Sequence, residues 1–461
     1  MTVASSFAHP AGPAPSDRAS AARLARFSMI AVPVAAAGTP LAIYLPAIFA
    51  RDFGLPLGVI GLIFLLERLW GAVSDPLIGA LSDHTRSRFG RRKPWIAAGS
   101  AIFAVAGIAL FFPPAGIGPA YLAVALFFFY LGWTALQIPF LAWSGEISGD
   151  YHERTRIATY QMVASSAGLF LALVLPTIAD QIRPGDGRLQ MTLMGGMLLV
   201  TLVPSVLLSL GAFPETVPDE RPERFSLGES VRAVFGNPLL VRVLASDFAV
   251  TTGQAIRSAL FVFYVTIYMG KPAWGAGLFL FQFVFGILAG PIWGKIGRHF
   301  GKHDTAIAGE LVQAAINLSL LLVTPDRFGL LLALTLAQGL AQGSGNLMLR
   351  SIVADVADKH KLDTGEERAG LYFSIFSLSA KAGMAAAIGI ALPLVGWLGF
   401  VPSAQNSPEA LAGLAAVFAL GPAIAHLISA ALLVRFPLDE AAHTEIRRQL
   451  ETGPALLQPA E

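Results

Sequence analysis

Apolar stretches of about twenty residues, each closed by charge, glycine or proline, recur along almost the whole chain, and nothing else in it restricts the fold so tightly. They fall near 27–50, 57–81, 94–113, 117–143, 157–180 and 189–213, then near 238–269, 274–296, 305–324, 328–354, 368–400 and 408–435. Each is long enough to cross a bilayer core. Backbone groups in hydrocarbon must pair within their own segment, so the spacing predicts twelve helices. The ten-residue alternation of a membrane barrel is missing. Of 461 residues, 55% are apolar and 13% charged, about half the charged share of a soluble protein, so a water-soluble fold is excluded.

A net charge of +2 gives no case for a nucleic-acid partner. The lack of cysteine excludes disulfides, thiolate-bound zinc and thiol catalysis. No histidine cluster or nucleophile elbow appears, so an enzyme is not expected. Asp355 and Asp358 have the spacing of a magnesium–diphosphate motif, but the loop that would face them is basic. Residues 1–26, rich in Pro, Ala and Ser at their start, read as a disordered tail and not as a cleaved signal peptide.

Basic residues set the expected orientation. Of the 32 Lys and Arg, odd-numbered connections carry only Arg51, Arg183, Arg188, Lys271 and Arg327, and Arg68, Arg257 and Lys381 fall inside spans. The rest lie in even-numbered connections and the tails, which places both tails in the cytoplasm. The charged stretch 214–237 reads as a cytoplasmic linker between six-helix bundles at 27–213 and 238–436, followed by a cytoplasmic tail at 437–461. After its second span each half carries small residues and then a basic turn, GALSDHTRSRFGRRKP at 79–94 and GKIGRHFGKHD at 294–304. Two related halves around a midplane site is the plan of a secondary transporter.

Three stretches carry a family likeness: ERLWGAVSDPLIGALSDHTRSRFGRRKP at 67–94, IPFLAWSGEISGDYHERTR at 138–156 and DVADKHKLDTGEERAGLYFSIFSLSAKAG at 355–383. They resemble the glycoside–pentoside–hexuronide cation symporters, the melibiose carrier family of the major facilitator superfamily. The resemblance implies an all-α membrane protein of twelve helices in two pseudo-symmetric bundles, with both termini cytoplasmic. It implies symport of a sugar, glycoside or related solute with sodium or protons, by alternating access, in a bacterial inner membrane. An animal branch of that family moves lysolipids, so the alternative is a carrier of an amphipathic solute. No cofactor beyond the coupling ion is expected. The expected partners are a small solute and the lipid bilayer, and the chain is expected to work as a monomer.

An ionisable side chain inside a span is costly and therefore a functional candidate. Glu67, Gly71 and Asp75 are four apart on one face of the second span, with Arg68 and Ser74 beside it. The family places two acids one turn apart here; Asp75 matches the second, while Gly71 stands at the first. Either Glu67 supplies the second carboxylate for sodium, or Asp75 alone carries a proton. Thr134 is expected to lend an oxygen. Lys381 matches the family's intramembrane lysine, and Asp75 in the opposite half is its natural partner. Ion binding at Asp75 would then compete with Lys381.

Substrate contacts are expected from Arg68, Gln137, Trp143, Gln254, Arg257, Tyr372 and Lys381. In sugar-carrying relatives an aspartate occupies the position of Gln137 and a tryptophan follows near Leu141, so a galactoside is not implied. Asp247, Gln254 and Arg257 share a face of the seventh span, and Gln338, Gln342 and Asn346 form a polar stripe on the tenth. Gate roles are expected for Asp83, Arg91, Arg92, Glu146, Arg154, Asp355 and Arg368, whose charges flank the basic turns.

Overall fold

The structure, a computed structural model, describes residues 19–147, 151–215, 236–342, 344–365, 369–402 and 405–452, and these are helical with no strand among them. In chain order the helices are α1 (Ala21–Ser28), α2 (Ala31–Asp52), α3 (Leu57–His84), α4 (Lys93–Phe111), α5 (Pro119–Glu146), α6 (Tyr151–Ile182) and α7 (Gly187–Leu210). The second half holds α8 (Pro238–Phe263), α9 (Gly277–Phe300), α10 (Lys302–Ser319), α11 (Phe328–Ala341), α12 (Ser344–Thr364), α13 (Ala369–Trp397), α14 (Pro408–Leu433) and α15 (Glu440–Thr452). Among the described residues eleven helices are long and apolar enough to cross a membrane, and Phe328–Ala341 is a shorter apolar helix. Leucine, valine and phenylalanine on their outer faces stay exposed, as lipid-facing side chains must.

Glycine sets the closest approaches. A Cβ at Gly99 would lie 2.6 Å from the Leu136 backbone nitrogen, and one at Gly132 would overlap the Phe103 backbone. Small residues thus let α4 and α5 touch along their backbones, where packing replaces the hydrophobic drive absent in lipid. The two halves meet through α3 and α13, where a Cβ on Gly61 would sit 2.9 Å from the Pro393 ring and one on Gly389 the same distance from Leu65.

The two basic turns share one geometry. Gly90 and Gly301 both take a positive φ, 102° and 86°, a region that costs a side chain about 1–2 kcal/mol and glycine nothing. Each follows an exposed phenylalanine, Phe89 or Phe300, and precedes a basic residue, Arg91 or Lys302.

Three features depart from the sequence reading. The stretch 1–26 is not tail throughout: α1 starts at Ala21, capped by Ser20 and held by buried Leu24 and Phe27. The stretch 437–461 contains α15, whose Ile446 and Leu450 pack with Leu438 onto the second half. The expected span 328–354 is two helices, because α11 ends at Ala341 with Gln342 extended (ψ 134°) and α12 begins at Ser344. Gly339, Gly343 and Gly345 cluster there, and glycine weakens a helix by about 1 kcal/mol each. Most of the expected linker, 216–235, lies outside the described residues.

Candidate solute and ion site

Asp75 lies deep in α3, followed at once by Pro76, which removes a backbone donor from the helix interior. One carboxylate oxygen of Asp75 pairs with the Lys381 ammonium of α13, and the other accepts from the Thr134 hydroxyl of α5 at 3.1 Å. The pair therefore crosses from one bundle to the other. The Lys381 side chain is 39% exposed and that of Asp75 14%, so the contact opens onto accessible space from the Lys381 side.

The neighbouring charges on α3 are arranged differently. Arg68 lies over the Tyr130 ring, 5.2 Å from its centroid, and donates to the Tyr130 hydroxyl at 3.3 Å. Its Nε stands 3.5 Å from a Glu67 oxygen. Glu67 is buried, within electrostatic reach of Asp75 and Lys381, and shares no hydrogen-bond partner with Asp75 among the described residues. Ser74 is buried with its hydroxyl turned back to the Gly71 carbonyl at 3.4 Å, away from a shared role with Asp75. Gln137 is half-buried one turn from Thr134, and Leu141, one turn further, is 50% exposed.

Three residues expected to touch solute sit elsewhere. Trp143 is buried between the edge of Phe27, at 5.0 Å, and the Lys93 ammonium, 5.2 Å from its ring. Tyr372 is fully buried near His360, and its hydroxyl accepts from Asn237 at 3.1 Å. Arg257 faces the interior of the second bundle: it donates to Asn317 (3.0 Å), Gln338 (3.3 Å) and Gln282 (3.4 Å) and lies over Phe418. An aromatic or amphipathic side chain satisfies its apolar body by packing, and in these positions packing prevails. Gln254 is half-buried on α8. The stripe residues Gln338 and Gln342 bond Gln313 and Gln282 and so join helices.

The gate candidates form one cluster in each half. Arg91 and Arg92 both reach Glu146, at 2.7 and 2.8 Å, and Arg92 also pairs with Asp83 and donates to Ser82. Glu215, which the sequence reading passed over, closes this cluster by accepting from the backbone nitrogens of Arg91 (2.8 Å), Arg92 (2.6 Å) and Lys93 (3.1 Å). A carboxylate at the start of α4 satisfies donors that have no partner within the helix. In the second half Lys302 pairs with Asp355 at 2.7 Å, and His443 of α15 approaches Asp355 and Asp358 at 3.2 and 3.3 Å. Arg368 lies outside the described residues, and Arg154 is on α6 with its side chain outside them.

Each of these pairs is made within one bundle. At the opposite end of the molecule the bundles bond to each other: Gln181 donates to the Ala273 carbonyl at 3.0 Å, and the Ala276 nitrogen donates to buried Asp180 at 3.0 Å. The molecule is thus latched at the end away from the basic turns, while the ion pairs described at the basic end are made inside each half.

Two helical bundles meeting at an acid and a base within their spans, latched at one end, define a polytopic membrane carrier. The chain belongs to the MFS/sugar transport protein family, whose model matches residues 26–440. A putative glycoside/cation symporter of Escherichia coli is 26% identical, over 88% of this chain and 90% of that one. The isoprimeverose transporter of Lactiplantibacillus pentosus is 23% identical, over 86% of this chain and 84% of its own length. The nucleoside transporter NupG superimposes with a TM-score of 0.66 at 12% identity, over 91% of this chain and all of that one, which shows the fold alone.

Proposed function

We propose that this protein is a secondary active symporter that moves a sugar, glycoside or related small solute by alternating access, with Asp75 as the seat of the coupling ion. The observation that carries the reading is the Asp75–Lys381 pair, one partner in each bundle. An ion arriving at Asp75 removes the reason for Lys381 to stay, and the bundles lose a tether. The relatives named as a glycoside/cation symporter and an isoprimeverose transporter support the solute class.

The chemistry favours a proton as the ion. Asp75 has one hydroxyl beside it and Glu67 is engaged by Arg68, whereas sodium wants several oxygens around it. No cofactor enters this scheme. The tenth crossing is made by α11 and α12 together, which gives twelve spans. With the basic turns in the cytoplasm, both termini are cytoplasmic and the latched end is periplasmic, so the conformation is open inward. The protein works as a monomer in the bacterial inner membrane, surrounded by lipid on its apolar faces.

The exposed Leu141 on the Gln137 face favours a second reading, an amphipathic solute that rests an apolar part there. Uptake of a panel of radiolabelled mono- and disaccharides into proteoliposomes, under imposed proton or sodium gradients, tests the proposal. Accumulation driven by one gradient is expected. Stimulation by neither overturns symport, and competition by lysolipids alone favours the second reading.

A further inference from the structure

The mechanism above leaves one buried acid–base contact unused. Glu310 of α10 and His426 of α14 meet at 2.5 Å, Oε2 to Nδ1, and each is 1% exposed. The other oxygen of Glu310 rests on the first turn of α12, where a Cβ on Gly345 would overlap it; one on Gly309 would overlap the Ser344 hydroxyl. The Nε2 of His426 is buried with no hydrogen-bond partner among the described residues. The contact therefore lies against the break that divides α11 from α12.

We propose that Glu310 and His426 form a second proton-binding site, inside the second bundle, whose occupancy sets the angle at the α11–α12 break. A carboxylate oxygen and an imidazole nitrogen in contact are two acceptors that one proton can bridge. Loss of that proton leaves a bare carboxylate at the start of α12, the end of a helix that attracts a negative charge. The two protonation states thus pull on α12 differently, and Gln342, extended where α11 ends, is where such a difference moves the chain.

The surroundings supply a compensating charge. Arg257 on α8 is 3% exposed and the side chains it bonds are neutral amides. One of them, Gln338, donates to Gln313, one turn from Glu310 on α10. Arg257 therefore offsets the carboxylate when the proton leaves. The other ionisable groups on the packed elements are Arg242 and Asp247 on α8; Lys295, Arg298 and His299 on α9; Lys302, His303 and Asp304 on α10; Arg350, Asp355, Asp358, Lys359, His360, Lys361 and Asp363 on α12; Lys381 on α13; and Glu409 at the far end of α14. The helix α11 carries none. Asp247 comes nearest along α8, since its neighbour Ser246 meets Ser429, one turn from His426, at 2.7 Å.

The chain has no cysteine, so a single Ser377→Cys reports on the basic end: Ser377 is exposed, one turn from Lys381 on α13. Its maleimide labelling rate is measured between about pH 5 and about pH 8, where imidazoles titrate, and normalised to the same protein unfolded. Asp75→Asn removes the first site. In that background the rate is expected to change at least about fivefold with pH, the size of a common allosteric coupling, and to become flat when His426→Gln or Glu310→Gln is added. A flat profile with Asp75→Asn alone, or one unchanged by the added substitution, overturns the second site. Failure of the Asp75 reading looks different: the profile then matches wild type with Asp75→Asn and is still abolished by His426→Gln. Should the added variants not fold, infrared difference spectra of the Asp75→Asn protein over the same pH range serve. A buried carboxyl and an imidazole changing protonation together, with Glu67→Gln and Asp247→Asn also in place, support the site, and the absence of that joint change overturns it.

Discussion

Lys381→Ala removes the base from the cross-bundle pair and leaves Asp75, among the described residues, with the Thr134 hydroxyl. Two unit charges about 4 Å apart interact by about 4 kcal/mol at an effective dielectric of about 20. The Lys381 side chain is 39% exposed, so solvent screening reduces this to about 2 kcal/mol. If the coupling ion must displace Lys381 to reach Asp75, that energy opposes ion binding in the wild type and is absent in the variant. The concentration of ion needed for half effect should then fall by about thirtyfold, since 1.4 kcal/mol is a factor of ten. Thermal melting of the purified protein, titrated with sodium at fixed pH and with acid at fixed sodium, reads the change because a bound ion raises apparent stability. An unchanged half-effect concentration for both ions would refute competition between lysine and ion.

Two further outcomes follow from packing. Gly132→Ala places a methyl group into the Phe103 backbone between α4 and α5, and should cost about 1–3 kcal/mol, seen as a lower melting temperature. Glu215→Gln weakens three charge-assisted bonds at the start of α4 and should cost about 1–2 kcal/mol. Faster amide exchange in residues 91–96 checks it, with the Asp75 site untouched.

The parts of the site that the sequence discloses are those with an energetic cost. Asp75 and Lys381 stand out because a charge within an apolar run is expensive wherever it points, and their meeting followed from each needing a partner. The basic turns stand out because glycine followed by arginine or lysine repeats in both halves. Trp143 and Tyr372 gave no such sign: an aromatic ring in an apolar helix looks the same whether it faces a cavity or its neighbours. Arg257 was visible as a buried cation, but its amide partners come from three other helices, and nothing local joins them. Glu310 and His426 fall inside expected spans at 305–324 and 408–435, so the rule that singled out Asp75 applied equally to them. The glycine cluster at 339–345 likewise signalled the break in the tenth span.

Gradient-driven solute accumulation in proteoliposomes bearing Asp75→Asn tests the account most directly. A permanently neutral side chain at position 75 mimics the ion-loaded carboxyl and has no ion to give up. Solute exchange at equal concentrations on both sides should persist, while accumulation against a gradient is lost. Accumulation by Asp75→Asn equal to that of the wild type would contradict the assignment of Asp75 as the coupling site.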